Sequence, residues 1–371
     1  MNVPVARETL LAFHRSLVET PSVSGDEDAA ARLVAARLAL SGVHVERLGD
    51  SVLAIAGKGP LVLLDSHLDT VPPAPGWRRA PFAATVEGER IHGLGANDAK
   101  ASVAAMVAAF AALAGETLGV TLALAAVAGE ETKSQGTRDV LDRLAELGIE
   151  IAAAVFGEPT GLDLAVAQKG LLVLELVARG EAAHAAHARA LGVPNAALAL
   201  ARDLVAIAAL DLGPAHPELG PTTLEPTIVR AGTARNVVPA EATAVLDVRT
   251  TPAVAPVEVV RRIRGALTGS ELEVRSDRFA PRETAPGPLL DAARAARPGA
   301  RSYGSATLSD WALLPAGVPA LKVGPGLSER SHTPDEFVLA SEIVDGARFY
   351  VELVRQLAAR LRRDRAAEGA A

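Results

Sequence analysis

Three short segments in the first half of the chain, residues 61–64, 120–127 and 152–156, are almost wholly apolar at consecutive positions. Such runs predict strands buried on both faces. Between them the apolar spacing turns helical, over residues 7–18, 27–40 and 100–114. The second helix follows the cap-like Ser24-Gly25-Asp26, and the third is apolar on every side. Residues 43–48 and 52–56 alternate like strands. Strand, loop and helix in repeated succession predict an open α/β sheet covered by helices.

The pattern changes near Lys169. A strand over 171–178, a helix over 195–209, strands over 223–230 and 242–250, a helix over 257–267 and a strand over 272–275 follow one another. The order β-α-β-β-α-β is that of a small ferredoxin-like sandwich. Its Pro- and Gly-rich loop, 213–226, reads as exposed. After 281–288 the first pattern resumes, with a helix over 289–296, a strand over 320–323 and a helix over 341–361. The charged tail beyond Arg362 reads as frayed. The expected organisation is an α/β domain of residues 1–168 and 279–371, interrupted by an inserted α+β domain of 169–278.

The length of 371 residues agrees with two domains. Aromatic residues are only 3%, so the cores must rest on Leu, Val and Ala. A net charge of −7 without a basic patch excludes nucleic acid and anionic membranes as partners. The chain has no cysteine, which removes disulfides and thiolates and leaves His, Asp and Glu as metal donors. The beginning lacks a cationic segment followed by a long apolar stretch. The longest apolar run, 101–114, is shorter than the ~20 residues of a membrane span. A cytoplasmic location is expected.

Five polar clusters stand at or near the ends of these apolar runs: His67-Leu68-Asp69-Thr70, Asn97-Asp98-Ala99-Lys100, Gly129-Glu130-Glu131-Thr132, Gly157-Glu158-Pro159-Thr160 and Ser331-His332-Thr333-Pro334. Strand ends are where α/β enzymes place their chemistry. Taken singly each has an ordinary reading. His67 beside Asp69 is a loop histidine next to a turn acid, Asp98 a helix N-cap or part of an incomplete glycine fingerprint begun by Gly93 and Gly95, and Glu130-Glu131 and Glu158 solvated acids. His332 reads equally as a surface residue, as do His14, His44, His92 and His216. His184 and His187, in the inserted segment, divide evenly between a surface loop and a donor to an oxyanion. As a set, the clusters supply what two zinc ions sharing a bridging carboxylate require. One of two adjacent acids can bind metal while the other serves as general base.

In order and spacing the set resembles the di-zinc amidohydrolases that include aminoacylase, acetylornithine deacetylase, succinyl-diaminopimelate desuccinylase and glutamate carboxypeptidase. The resemblance runs from about Val18 to the last helix. It implies a di-zinc exopeptidase-like catalytic domain with an inserted ferredoxin-like lid or dimerisation domain. It further implies that His67, Asp98 and Glu158 hold one zinc and that Asp98, Glu131 and His332 hold the other, with cobalt or manganese as possible substitutes. Glu130 would be the general base, Asp69 would orient His67, and His184, in Gly180-Glu181-Ala182-Ala183-His184, would polarise the scissile carbonyl. Asn236 in Arg235-Asn236-Val237-Val238-Pro239, Arg249, and the loop Gly324-Pro325-Gly326 would hold the substrate. A cis peptide is implied between Asp98 and Ala99, and a homodimer through the inserted domain.

Asn97-Asp98-Ala99-Lys100, Ser309-Asp310-Trp311 and Glu329-Arg330-Ser331-His332-Thr333-Pro334 look most like deacetylases of the acetylornithine and acetylcitrulline type, the former in arginine biosynthesis. Gln168-Lys169-Gly170-Leu171 stands where desuccinylases carry an Arg-Arg pair. The expected activity is release of an acyl group from an N-acyl L-amino acid. The alternatives are acetylcitrulline deacetylase, succinyl-diaminopimelate desuccinylase, dipeptidase or carboxypeptidase, and a hydrolase releasing lysine or ornithine from an amino-group carrier protein. Glu329 and Asp310 are candidate partners for a cationic substrate side chain. A catalytically silent binding protein of the same fold is the rival from another class; a binding module needs neither Glu130 nor His184.

Overall fold

The computed structural model describes residues 6–368. The chain divides into two compact units. One runs up to Val166 and resumes over Thr284–Tyr303 and from Ser309, and the other comprises Ala167–Glu283 and Gly304–Leu308.

The first unit is built on a mixed sheet. Its strands lie in the order Val45–Leu48, Ser51–Gly57, Thr121–Val127, Leu61–His67, Ile151–Phe156, Ala320–Lys322 and Leu164–Gln168. Leu61–His67 is buried at every residue, because helices cover both faces. Val62 and Leu64 share a core with Val103, Met106 and Phe110 of helix Lys100–Leu113 and Tyr350 of helix Ala340–Glu368. Leu61 and Leu63, one residue out of phase, pack instead with Val140 and Leu144 of helix Gln135–Glu146 and with Trp311. This two-sided burial is why the sequence of the strand is continuously apolar.

Leu61–His67 runs parallel to Thr121–Val127 on one side and to Ile151–Phe156 on the other. The chain therefore steps to one flank of this strand and then crosses to the other. Such a reversal of strand order opens a crevice at the carboxyl ends of the strands, and His67 is the last residue of the central one.

The second unit holds an antiparallel sheet in the order Thr223–Ala231, Glu241–Thr250, Gly170–Arg179, Ser270–Phe279. Leu172, Leu174 and Leu176 face Val248, Leu246 and Ala244 across the two central strands. These residues pack beneath helices Ala196–Ala208 and Pro256–Ala266. Only one face is covered, so burial alternates along Glu241–Thr250. Asp203, itself 1% exposed, accepts the amides of Thr268 (2.9 Å) and Gly269 (3.0 Å) and so closes the turn into the last strand. Burial alone would raise the pKa of this carboxyl; the hydrogen bonds it accepts outweigh that and lower it. The architecture is thus a two-domain α/β fold, a mixed sheet flanked by helices with a ferredoxin-like α+β insertion.

Some local expectations change. The last helix extends past Arg362 to Glu368, consistent with the strong helix propensity of Ala, Arg and Glu; the rest of the tail expected to fray, 369–371, lies outside the described residues. The 213–226 loop is not simply exposed, since His216, Leu219 and Thr222 within it are buried. Of the four histidines read as surface residues, only His44 is exposed. His14 Nε2 lies 2.8 Å from Ala96 O, His92 Nδ1 3.1 Å from Asp335 O, and His216 Nδ1 accepts the amides of Glu218 and Leu219. Among the described residues no helix is long and apolar enough to cross a membrane.

Candidate metal centre

The first unit brings the five clusters together at the ends of its central strands. His67 ends its strand, Glu130 and Glu131 follow Thr121–Val127 through a turn at Gly129, and Glu158 lies just beyond Ile151–Phe156. Asp98 precedes helix Lys100–Leu113, and its peptide bond to Ala99 is cis. His332 sits in the loop before strand Phe337–Leu339. Donor atoms of His67, Asp98 and Glu158 lie within 4.8 Å of one another, as do those of Asp98, Glu131 and His332 and those of His67, Glu130 and Glu131. The first two groups share Asp98. Its Oδ1 is 3.3 Å from His67 Nε2 and its Oδ2 3.7 Å from His332 Nε2, while Glu131 Oε1 is 2.8 Å from that same nitrogen.

The two groups differ in depth. The His67 side chain is 2% exposed and that of His332 is 49% exposed, so one position is internal and the other faces outward. His332 also has a φ of +59°, in the left-handed region. A residue with a side chain holds that conformation at a cost of about 1–3 kcal/mol, and only where its surroundings impose it.

His67 Nδ1 faces the backbone oxygen of Asp69 at 3.0 Å and its carboxylate at 3.5 Å. Both are acceptors, so Nδ1 carries the proton and Nε2 is the donor atom turned toward Asp98. Asp69 does more than orient this ring. Its Oδ1 accepts the amide of Glu130 and its Oδ2 that of Glu131, each at 3.1 Å, and Ser24 Oγ donates to Oδ2 at 2.6 Å.

Five carboxylates, of Asp69, Asp98, Glu130, Glu131 and Glu158, converge here on two imidazoles, and the charges do not balance. Burial, reinforced by Glu158, Asp310 and Glu131, pushes Glu130 well above the usual carboxylate range. Burial and Asp98 push Glu158 up to about 8. Asp98 is lowered despite burial, because the hydrogen bond and charge of His67 oppose it. His332 is raised to about 9, chiefly by its hydrogen bond to Glu131. Lys322 is buried nearby; desolvation lowers it against the pull of Glu158, Glu130 and Asp98. Nitrogen and oxygen donors in two groups, a shared carboxylate and more acidic side chains than the buried site can hold charged by itself fit a pair of divalent metals of the zinc type.

Two further residues build the centre in ways their sequence positions do not show. Glu336, buried, accepts the amides of Asn97 and Asp98. Lys100, also buried, donates to Leu17 O (2.9 Å) and Thr20 O (3.0 Å), tying the helix that follows Asp98 to the end of helix Arg7–Glu19. Burial lowers its pKa to about 7. Asp310 is not a partner for a substrate side chain: it is enclosed at 1% exposure and bound by Thr137 Oγ1, whereas Glu329 is exposed.

Gly324, Pro325 and Gly326 are buried, and the amide of Gly324 donates to Thr160 Oγ1 at 3.2 Å. That amide is engaged within the fold. Gly326 has φ +85°, and a Cβ there would collide with Asn97 Oδ1.

The second unit carries His184, Asn236 and Arg249. The short strand Ala183–His184 pairs with Val237–Val238, and Ala185 N donates to Asn236 O at 2.9 Å, so His184 and Asn236 lie on adjoining segments. Both are exposed. Arg249, on Glu241–Thr250, makes a two-pronged pair with Asp247 (2.7 and 3.1 Å).

Among known proteins, the profile of peptidase family M20/M25/M40 matches residues 63–356. A succinyl-diaminopimelate desuccinylase of Halorhodospira halophila is 31% identical over 375 residues, spanning 94% of this chain and 98% of that protein. A probable carboxypeptidase of Aspergillus terreus is 36% identical over 295 residues, spanning 72% of this chain and 67% of the relative. Among solved structures, a metallo-carboxypeptidase from Sulfolobus solfataricus superposes with a TM-score of 0.75 at 20% identity, covering 95% of this chain and 99% of that one.

Proposed function

The chain belongs to peptidase family M20/M25/M40, and from that premise we propose that it is a two-zinc hydrolase that releases an amino acid from a linear N-acyl form. The observation that carries the reaction class is the pair of donor groups sharing Asp98, with Glu130 beside them. Within that class, N-succinyl-diaminopimelate is the first substrate to try. Its support is the name of a relative matched over nearly the full length of both proteins. This reverses the order suggested by the local motifs, which favoured N-acetylornithine; the missing Arg-Arg pair at Gln168-Lys169 keeps the acetylated substrate second.

In this reading His67, Asp98 and Glu158 hold one metal, and Asp98, Glu131 and His332 hold the other. Bound metals would supply Lewis acidity, polarising the amide carbonyl and lowering the pKa of water toward ~7. Glu130 accepts a proton from the attacking water and returns it to the leaving nitrogen as the C–N bond breaks. Asp69 holds the backbone of that base. His184 donates to the carbonyl oxygen as it gains charge, and Asn236, Arg249 and the Gly324–Gly326 segment orient the substrate. A homodimer through the inserted unit belongs to the same reading. It is supported by the exposed edge strand Thr223–Ala231, with Ile228 and Val229 in the open, and light scattering in solution tests it.

The test is amine release by zinc-loaded protein against N-succinyl-diaminopimelate, N-acetylornithine, N-acetylcitrulline and a set of dipeptides. Turnover led by an N-acyl amino acid supports the proposal and names the acyl group. Turnover of dipeptides alone favours the second reading, a carboxypeptidase or dipeptidase, which the Aspergillus relative supports. Inertness toward every member with two metals bound leaves a carrier-protein-linked substrate or a silent protein.

A further inference from the structure

Glu336 and Asp335 are adjacent acids that reach in different directions. Glu336 Oε1 accepts two consecutive amides, of Asn97 (2.8 Å) and Asp98 (3.0 Å). Asp335 Oδ1 accepts two others, of Arg78 (3.0 Å) and Arg79 (3.1 Å). The side chain of Asn97 crosses back. Its Nδ2 donates to Leu327 O (3.0 Å) and Ser331 Oγ (3.2 Å), and its Oδ1 accepts the amide of Leu327 (3.0 Å). The turn that presents Asp98 and the loop that presents His332 are therefore laced together from both sides.

That loop needs lacing. His332 and Asp335 both hold left-handed backbone, with φ of +59° and +58°. Such a conformation persists where neighbours over-determine it, and the grips of Asp335, Glu336 and Asn97 are those neighbours. Glu336 is 2% exposed, and Asp98, another acid, follows directly in the turn it holds. A buried acid so close to a like charge is a poor choice for packing alone. A carboxylate is, however, the strongest acceptor for two successive amides.

Resting on the two-metal reading above, we propose that Glu336, together with Asn97, is a positioning residue. It sets the spacing between the Asp98 and His332 donors and so governs whether the outward metal position can hold a divalent ion. Neither residue belongs to the donor groups themselves.

The experiment is zinc titration of metal-stripped full-length protein by calorimetry, with bound metal counted after dialysis. Wild type is compared with Glu336→Ala, Glu336→Gln and Asn97→Ala. Wild type should bind two ions. Glu336→Ala should weaken one of them by about 10- to 100-fold, the range for losing a residue that orients a ligand, while the other stays within about threefold. Glu336→Gln, which keeps a carbonyl oxygen for the same amides, should restore most of the loss. Two ions bound by Glu336→Ala with wild-type affinity would overturn the proposal. So would a fall in Tm that is equal with and without zinc at unchanged stoichiometry, the signature of a merely structural role. Should Glu336→Ala fail to fold, the Asn97→Ala isotherm decides by the same criteria. Fewer than two ions on wild type itself removes the two-metal reading, and the positioning role with it, before any variant is considered.

Discussion

The carboxylate of Asp69 accepts the backbone amide of Glu130 at 3.1 Å. The residue that braces the buried imidazole of His67 thus also fixes the loop that carries the proposed base. Through its other oxygen it takes the next amide as well. Asp69→Asn replaces one acceptor oxygen by an NH2 group that must face the amide N–H of either Glu130 or Glu131. We expect a loss of about 10- to 100-fold in metal affinity or turnover. Asp69→Asn with wild-type zinc binding and kcat would remove both roles.

Glu130 is set apart from the two ligand groups that share Asp98, although it neighbours both His67 and Glu131. Glu130→Gln should keep two zinc ions while kcat falls by about 100- to 10,000-fold, the contribution of a general base. Parallel metal analysis and steady-state kinetics check this. Loss of a metal would make Glu130 a ligand, and near-normal turnover would end its role as base.

Graded chelation should empty the centre in order. The group containing His332, whose side chain is 49% exposed, should release its ion before the group containing His67, at 2%. Restoring a metal to 100 times its Kd should stabilise the fold by about 2.7 kcal/mol. Simultaneous loss of both ions, counted after dialysis against increasing chelator, would contradict the two-depth description.

Much of this centre could be anticipated and much could not, for one physical reason. Strands such as Leu61–His67 are buried on both faces, so their sequences are apolar throughout and the polar residue at the end stands out. The neighbours that hold those residues look like ordinary surface acids, because their partners are backbone amides far along the chain. Asp69 grips residues 130 and 131, and Glu336 grips 97 and 98. An amide has no letter in the sequence. The same blindness hid His14, His92 and His216, which are buried against backbone groups. The strand Leu164–Gln168 is short, and the hairpin Thr85–Glu87 with Arg90–His92 gains its third strand only from Phe337–Leu339, so neither had a pattern long enough to read.

Gly326→Ala should be damaging although the change is one methyl group. The φ of +85° disfavours any side chain, and the new Cβ would strike Asn97 Oδ1. The strike would disturb the Asn97 bond to Leu327. Activity should fall at least about tenfold, as for losing a residue that orients a ligand; unchanged kcat/KM in a folded Gly326→Ala protein would contradict the packing described.

The inserted unit has its own stability test in Asp203. Asp203→Ala leaves the amides of Thr268 and Gly269 without their acceptor and should cost about 1–3 kcal/mol. Because the folded-state pKa of Asp203 is lowered, its charged form stabilises the fold at pH values above the unfolded pKa, about 3.9. That stabilisation is lost as pH falls through the lower folded value. Denaturation of wild type and Asp203→Ala should therefore differ most near neutrality and converge in acid. A difference that stays constant down to pH 3 would show that the charge plays no part.

The catalytic unit is written in the gene as two separated pieces, with His67, Asp98, Glu131 and Glu158 on one side of the insertion and His332 on the other. A ribosome therefore releases four donors long before the fifth. A nascent or truncated chain that stops within the insertion has the acids but not the imidazole of the outward position. In such a chain the centre stays unfinished, and completing it reports that translation has reached the last helix.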